Sequence, residues 1–171
     1  LTPVGGMSVA AVPAAASNQF TVASFNMERF FDTTDDPGGD VALTAAALEL
    51  RLAKASLAIR TALNAPDIVA VQEVENLGVL WLLAQRIDTA AAAAGQQVPQ
   101  YSPHLVEGND PGGIDVGFLV KRVGGRVQVV SVEQVGAAAT FIDPSDGSED
   151  LLNDRPPLVL RATVTGLWHY L

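Results

Sequence analysis

The 171-residue chain contains no cysteine, only two histidines, and 10 lysines and arginines against 19 aspartates and glutamates. The lack of cysteine excludes disulfides, thiolate zinc sites and thiol nucleophiles, and it leaves the cellular compartment open. The net charge of −9 argues against a broad basic surface for nucleic acid, because phosphate neutralisation requires lysine and arginine. It still allows an enzyme that meets phosphate through a bound cation.

Long hydrophobic runs are also lacking, so no membrane span is expected. Hydrophobic residues make up 49% of the chain and charged residues 17%, which is typical of a globular protein. We expect a flexible lead over residues 1–18, which carries no charge, and one domain over residues 19–171. The lead lacks the basic start of an intact signal peptide, but a processed remnant of this kind favours a secreted or periplasmic protein.

Hydrophobic periodicity predicts the order β-α-β-α, followed by several strands without helices. This order favours an α/β (α+β) fold with one mixed sheet and helices on one face. Several strands are apolar on both faces, so the face without helices is expected to need a partner layer. The predicted strands are 20–25, 67–72, 101–106, 114–121, 126–135 and 158–164, the predicted helices are 44–64 and 77–94, and residues 136–154 are predicted to be mostly loop.

Polar side chains follow the first two predicted strands. Asn26 and Glu28 come after the first strand, and Glu73 comes after the second. If these strands are parallel neighbours, one amide and two carboxylates meet at their carboxyl ends. Hard oxygen donors suit Mg²⁺ or Mn²⁺, with Ca²⁺ as a third candidate. From spacing alone, a solvated glutamate at a strand end is an equally good interpretation of Glu73.

Two further charged residues have two interpretations each. Asp115 lies within an apolar strand, where a buried carboxylate would need a partner such as histidine or arginine. Spacing alone favours a solvent-facing position at the strand start. Arg155 stands between Asp154 and two prolines, and a guanidinium held by such a stiff segment suits a phosphate oxygen. Pairing with Asp154 is the favoured interpretation.

The other acidic residues and the histidines point to structural roles. Glu75 lies beside a good helix cap and is interpreted as a charge at a helix N-terminus. The acidic loop over residues 32–40 lacks the spacing of an EF-hand and is interpreted as solvated. His104 is interpreted as structural, and His169 lies at the C-terminus, where chains fray.

Four segments together resemble the endonuclease/exonuclease/phosphatase superfamily, and their sequences are closest to its bacterial extracellular nuclease-like branch. Each segment is a modest match alone, but four in the right order make a specific signal. The resemblance implies the N-terminal half of a four-layer α/β/β/α sandwich. The segments are SFNMERFF (24–31), DIVAVQEVEN (67–76), GGIDVGFLVK (112–121) and NDRPPLVL (153–160).

The resemblance also implies roles for five residues. Glu73 matches the principal metal ligand of the family, and Glu28 falls where some members place a second acidic metal contact. Asn26 matches the active-site asparagine. Asp115 falls where deoxyribonuclease-like members place the acid that orients a catalytic histidine, and Arg155 resembles the arginine that contacts the substrate phosphate.

Later motifs of the family do not occur in the chain: the strand ending in Asn-His, the Gly-Asp-x-Asn motif and the closing Ser-Asp-His. The general base is therefore missing. We expect a divalent-metal-dependent phosphoester hydrolase of the nuclease or phosphodiesterase type, with weak or incomplete activity as given. Nucleic acid is one candidate substrate. We also expect a homodimer formed through the open sheet face. The alternative is a truncated scaffold that acts as a small-ester hydrolase or as a non-catalytic binding module.

Overall fold

The computed structural model describes residues 10–36 and 41–165, and its centre is a four-stranded mixed sheet. The strands are β1 (Val22–Phe30), β2 (Ile68–Val74), β3 (Tyr101–Leu105) and β4 (Asp115–Lys121). Their spatial order is β1-β2-β4-β3, with β1 parallel to β2 and with β4 antiparallel to both of its neighbours. The predicted mixed sheet is confirmed, and β1 is one of its two edge strands.

The first helix, α1, spans Ala45–Leu57 and continues as a π-helical turn over Ala58–Ala62. It begins where the Thr44 side-chain oxygen accepts a hydrogen bond from the Ala47 N–H at 3.2 Å. Such a cap satisfies one of the backbone N–H groups that the first helical turn leaves without a partner. The predicted helix over residues 44–64 is confirmed.

The second helix, α2, spans Leu77–Ala93 and begins in the same manner. Its cap is Asn76, whose side-chain oxygen accepts from the Val79 N–H at 2.8 Å. Gly95 follows the helix with a φ of +66°, the left-handed conformation in which glycine ends helices most readily. Within residues 10–36 and 41–165, neither helix combines the length and the apolar character that crossing a membrane would require.

Both helices pack on one face of the main sheet, and the core lies between them and the sheet. Tyr101 closes one side of this core, and its buried hydroxyl donates to the Pro66 carbonyl at 2.6 Å. The most deeply buried residues include Ile59, Leu80, Leu83 and Ile87 from the helical layer, and Val69, Val71 and Leu119 from the sheet.

The second face of the main sheet carries no helix. Near β4 it is covered, since Val120 is 2% exposed, whereas Val22 on β1 is 61% exposed. A separate two-stranded ribbon, β5 (Val127–Gln134) and β8 (Leu158–Val164), approaches the covered side. A cavity of about 400 Å³ is lined by residues of β3, β4 and β5. The uncovered part of this face is therefore concentrated at the β1 edge.

Two details of the predicted order are wrong. The strand after the lead does not end at Asn26 but continues to Phe30 with an irregular pairing to β2. The last strand, β8, pairs with β5 rather than with the main sheet, so one partner element exists for the second face. Residues 136–154 are mostly loop, as predicted, and contain a short hairpin of β6 (Thr140–Ile142) and β7 (Glu149–Leu151). The four-layer sandwich remains a prediction.

The described part of the lead, residues 10–18, forms no helix or strand and lies against the domain. The Val12 N–H donates to the Ala62 carbonyl at 2.8 Å. The Arg126 side chain donates to the carbonyls of Ser17 and Gln19, the latter at 2.7 Å. The domain boundary at residue 18 remains a prediction.

A reciprocal pair of polar residues sets the register between β1 and β2. The Thr21 N–H and hydroxyl donate to Asp67 Oδ2 at 2.9 and 3.1 Å, and the Asp67 N–H donates to the Thr21 hydroxyl at 3.0 Å. From this point the two strands run in parallel until Asn26 lies opposite Gln72. The pair therefore fixes which side chains meet at the carboxyl ends of the two strands.

The buried hydroxyl of Tyr101 gives a test of this packing. Tyr101→Phe leaves the Pro66 carbonyl without its donor, and an unsatisfied buried carbonyl costs about 1–3 kcal/mol. We expect the free energy of unfolding, measured by urea denaturation, to fall by that amount. The control is Thr89→Val, because the exposed Thr89 hydroxyl donates to the Gln85 carbonyl at 2.9 Å. Its effect should stay within about 0.5 kcal/mol, and equal losses in both variants would contradict the assignment.

Candidate functional site

Three of the predicted residues, Asn26, Glu73 and Asp115, lie at the same end of the main sheet. Asn26 on β1 lies opposite Gln72 on β2, and Val74 at the end of β2 lies opposite Asp115 at the start of β4. Glu73 stands between them at an irregularity in the pairing. The carboxyl ends of parallel strands are the usual place for chemistry in open α/β sheets.

Asn26 and Glu73 are in direct contact. The Asn26 side-chain amide donates to Glu73 Oε1 at 3.0 Å, and the Arg29 N–H donates to Glu73 Oε2 at 3.2 Å. The Asn26 side-chain oxygen accepts from the Glu28 N–H at 2.8 Å. Both oxygens of Glu73 are therefore oriented by donors from β1, and each keeps lone pairs for a further partner.

The backbone around this contact is strained. Glu28, Arg29 and Glu73 have φ angles of 55°, 57° and 60°, although none of them is glycine. A left-handed residue with a side chain costs on the order of 1–3 kcal/mol, and such residues cluster at functional sites. The strain falls on two of the residues whose side chains were predicted to bind a metal, Glu28 and Glu73.

Arg51 from α1 supports the strained segment, and the sequence analysis did not identify it. Its Nη1 donates to the carbonyls of Glu28 and Arg29, both at 2.7 Å. Arg51 also lines a cavity of about 380 Å³ together with Asn26, Glu28 and Lys54. Its helical position gave no sequence signal for this role, because the segment that it contacts was expected to be loop.

The oxygen ligands that a sparsely coordinated hard cation would use here are the carboxylates of Glu73 and Glu28, and magnesium in proteins keeps several waters on such ligands. The Asn26 amide oxygen already accepts from the Glu28 N–H, and its amide nitrogen faces Glu73. Within the part of the chain that the structure describes, no group of three His, Asp or Glu side chains could hold a metal ion. This donor set suits Mg²⁺ or Mn²⁺ better than Ca²⁺, which takes more oxygen ligands.

Two other acidic residues nearby, Glu75 and Asp32, have a structural role. The buried Glu75 carboxylate accepts from the Asp32 N–H at 2.5 Å, and Asp32 Oδ2 accepts from the Asn76 amide at 3.2 Å. These bonds join the acidic loop to the start of α2, where Glu75 directly precedes the cap. Asp35 and Asp36 are exposed, as predicted for a solvated loop, and Asp40 lies outside the described residues.

Asp115 is buried, so the expectation of a solvent-facing position is wrong. Only 5% of the residue is exposed, and its Oδ1 accepts from the Gly108 N–H at 2.7 Å. Burial, a hydrogen bond with the Glu107 side chain and the charge of Glu107 raise the pKa of Asp115 to about 7. The partner is thus a second carboxyl group and a backbone amide, rather than a histidine or arginine.

The loop that covers Asp115 requires a glycine at position 108. A Cβ on Gly108 would lie 2.5 Å from Asp115 Oδ1 and 3.0 Å from Cδ of Pro156. The next residue, Asn109, donates its N–H to the Asp154 carbonyl at 2.7 Å. These contacts bring residues 107–110 and 153–156 together beside the start of β4.

Arg155 pairs with Asp110, so the expected pairing with Asp154 is wrong. Its Nε lies 3.4 Å from Asp110 Oδ2, and 45% of its side chain is exposed. The loop contacts place Arg155 near the same end of the sheet as Asp115. In the described residues it makes no hydrogen bond or ion pair with Asn26 or Glu73.

His104 lies on the second face of the sheet, away from Glu73. It pairs with Phe118 on β4, whereas β4 reaches the candidate site at Asp115. Its Nε2 is buried without a hydrogen-bond partner among the described residues, and burial lowers the pKa of the imidazole. These features agree with a structural role, and His169 lies outside the described residues.

Comparison with the models of known protein families finds no match, and comparison with curated protein sequences finds no significant match.

The raised pKa of Asp115 predicts how stability changes with pH. The folded value of about 7 lies above the ordinary value of 3.8, so the folded state holds the proton more tightly than the unfolded state does. The contribution of the protonated Asp115 to stability is therefore fully present below about pH 4 and is lost as the pH rises through 7. Asp115→Asn keeps an acceptor for Gly108 and cannot ionise.

We expect wild type to lose about 2–4 kcal/mol relative to Asp115→Asn between pH 4 and pH 8. Urea denaturation across this pH range measures the difference. Asp154→Asn, which removes an exposed carboxylate from the neighbouring loop, should retain the wild-type slope. Parallel curves for wild type and Asp115→Asn would show that the carboxyl group is not held in its protonated form.

Proposed function

We propose that the chain is a divalent-metal-dependent phosphoester hydrolase of the nuclease or phosphodiesterase type. The observation that supports this most strongly is the contact of Asn26 with Glu73 at the carboxyl ends of two parallel strands. The strained backbone at Glu28 and Glu73 gives further support. So does the resemblance of four ordered segments to the endonuclease/exonuclease/phosphatase superfamily.

The proposed roles follow from the hydrogen bonds. Glu73 is the principal ligand for Mg²⁺ or Mn²⁺, and Asn26 holds its carboxylate in place. Glu28 is a second ligand, since its exposed carboxylate makes no hydrogen bond or ion pair with the described residues. A bound cation would supply Lewis-acid polarisation of a phosphoryl oxygen. In a chain of net charge −9 it would also offset repulsion of the substrate.

Arg155 and Asp115 act from the neighbouring loops in this proposal. The half-exposed guanidinium of Arg155 keeps donors beyond the one facing Asp110, and these suit a phosphate oxygen. Asp115 holds the loop at Gly108, which fixes the segment that carries Arg155. The substrate is a phosphoester, with nucleic acid as one candidate class.

We expect the chain alone to hydrolyse phosphoesters at a low rate. No histidine in the described residues lies at the candidate site, and a positioned general base typically contributes about 10²–10⁴-fold to the rate. The chain alone should therefore hydrolyse an activated diester such as bis-p-nitrophenyl phosphate slowly.

Metal binding is the direct test. We expect calorimetric titration with Mn²⁺ and Mg²⁺ to show binding to wild type that is lost in Glu73→Gln. Because changes beside a ligand already cost about 10–100-fold in metal affinity, loss of the ligand itself should cost at least about tenfold. Glu133→Gln is the matched control, since Glu133 is exposed on the ribbon and the charge change is identical.

The same titration separates the proposal from its alternatives. Equal metal affinity in Glu73→Gln and Glu133→Gln would contradict the assignment of Glu73. Hydrolysis of a nitrophenyl carboxylic ester that survives both Glu73→Gln and chelation would instead support a metal-independent ester hydrolase. Failure to bind metal and to turn over either substrate would contradict both hydrolase assignments and is the result that a non-catalytic binding module predicts.

We also propose that two copies associate through the uncovered part of the second sheet face. Sheets of this kind stack face to face, and two equal copies make a closed twofold interface. The exposed Val22 on β1 and the partly exposed Phe118 on β4 lie on this face. Stacking would remove their apolar surface from water.

Sedimentation equilibrium tests the dimer. Wild type should show a concentration-dependent dimer, and Val22→Lys should shift the equilibrium to monomer, because a buried lysine without a partner is costly. Leu57→Lys is the control, since Leu57 is 54% exposed on the helical side of the sheet. A wild-type protein that remains monomeric across all concentrations would contradict the proposal.

A further inference from the structure

Backbone carbonyls on the outer edge of β1 need hydrogen-bond donors from outside the sheet. β1 is an edge strand, so carbonyls on its outer side have no neighbouring strand to pair with. At Glu28 and Arg29 the left-handed backbone turns two successive carbonyls towards α1. Backbone carbonyls that leave a sheet in this way need donors from a side chain or from water.

Arg51 supplies hydrogen-bond donors to these carbonyls from a fixed position on α1. Its Nη1 donates to both carbonyls at 2.7 Å, and the Arg29 carbonyl accepts a second bond from the Phe31 N–H at 3.1 Å. Leu48, three residues before Arg51 on α1, and Leu52, directly after it, are buried in the core. The guanidinium is therefore carried by a helix that packing holds in place, and its bonds are charge-assisted.

The geometry points to Arg51 as a positioning residue of the candidate metal site. By holding both carbonyls it fixes the left-handed turn at Glu28 and Arg29, and this turn aims the Arg29 N–H at Glu73 Oε2. The same turn sets the backbone position of Glu28, the second proposed ligand. Arg51 thus acts through Glu28 and Arg29 on the orientation of Glu73. The part that concerns metal rests on the proposed function.

A matched control exists one helical turn further along α1. Lys54 lines the same cavity of about 380 Å³ and carries the same charge. Its ammonium group makes no hydrogen bond or ion pair with any residue in 10–36 or 41–165. Replacing Lys54 by an uncharged residue therefore removes a positive charge beside the site and leaves the two carbonyl contacts of Arg51 in place.

The first measurement is amide hydrogen exchange in the metal-free protein. We expect Arg51→Met to accelerate exchange of the Arg29 N–H by about tenfold or more, since the turn that holds this N–H against Glu73 is released. Arg51→Lys should give an intermediate rate, because an ammonium group keeps the charge but not the planar fork. Lys54→Met should leave the rate unchanged, and protected core amides at Leu83 confirm that each variant is folded.

The second measurement is the affinity for Mn²⁺ by calorimetry. Arg51→Met should weaken binding by about 10–100-fold, the usual effect of losing a group that orients a ligand. Arg51→Lys should restore part of the affinity, and Lys54→Met should bind as wild type does. Equal weakening in Arg51→Met and Lys54→Met would show a general charge effect and overturn the positioning role.

The two measurements keep this inference separate from the proposed function. If wild type binds no metal, the proposed function fails, while faster Arg29 exchange in Arg51→Met still supports control of the Glu73 contact by Arg51. Unchanged Arg29 exchange in a folded Arg51→Met protein overturns the inference whether or not metal binds. Should Arg51→Met fail to fold, Arg51→Lys provides the same comparison.

Discussion

The hydrogen bond from the Asn26 amide to the Glu73 carboxylate joins the ends of two parallel strands, and the candidate site depends on it. The bond exists because Thr21 and Asp67 fix the register at the other end of the strands. It is completed by the Arg29 N–H, which reaches Glu73 only because the backbone turns left-handed there. The contact of Asn26 with Glu73 thus depends on the strained, left-handed backbone at the same end of the sheet. It also depends on the pair of Thr21 and Asp67 at the opposite end.

The carboxyl groups at the end of the sheet that holds the candidate site differ in which form, charged or protonated, their surroundings stabilise. Glu75 accepts from a backbone N–H and is buried in a structural role. Asp115 shares its surroundings with Glu107 and is stabilised in its protonated form. Glu73 also accepts from a backbone N–H, that of Arg29, but unlike Glu75 it is only partly buried, and Glu28 is exposed. These two carboxylates are therefore the ones to which a hard cation would contribute most.

Local signals in the sequence were sufficient for the framework of the fold. Thr44 and Asn76 cap their helices through contacts within three residues, so a short stretch of sequence contains the information. The meeting of Asn26 with Glu73 was also predictable, because the parallel pairing of two strands brings their carboxyl ends together. Each of these predictions depends on chemistry close in sequence or on a general rule of sheet geometry.

The misplaced residues depended on long-range contacts. Asp115 was expected at the surface, but the loop at Gly108, seven positions earlier, covers it, and that loop is held by contacts with the distant residues Asp154 and Pro156. The support of the strained turn by Arg51 spans more than twenty positions in the chain. Hydrophobic alternation likewise could not show that β8 (Leu158–Val164) pairs with β5 rather than with the main sheet, since a strand has the same pattern in either sheet.

The candidate site and the uncovered surface are parts of one region. Side chains alternate along β1, so Asn26 lies on the same face as Val22 and Ser24, which are both exposed. On β2 the corresponding position is Gln72, whose side chain accepts from the Ser24 hydroxyl at 3.3 Å. Any layer that covers this face, from a second copy or from another chain, would come to lie beside Glu73. The proposed dimer would therefore bring a second copy of the chain beside the proposed metal site.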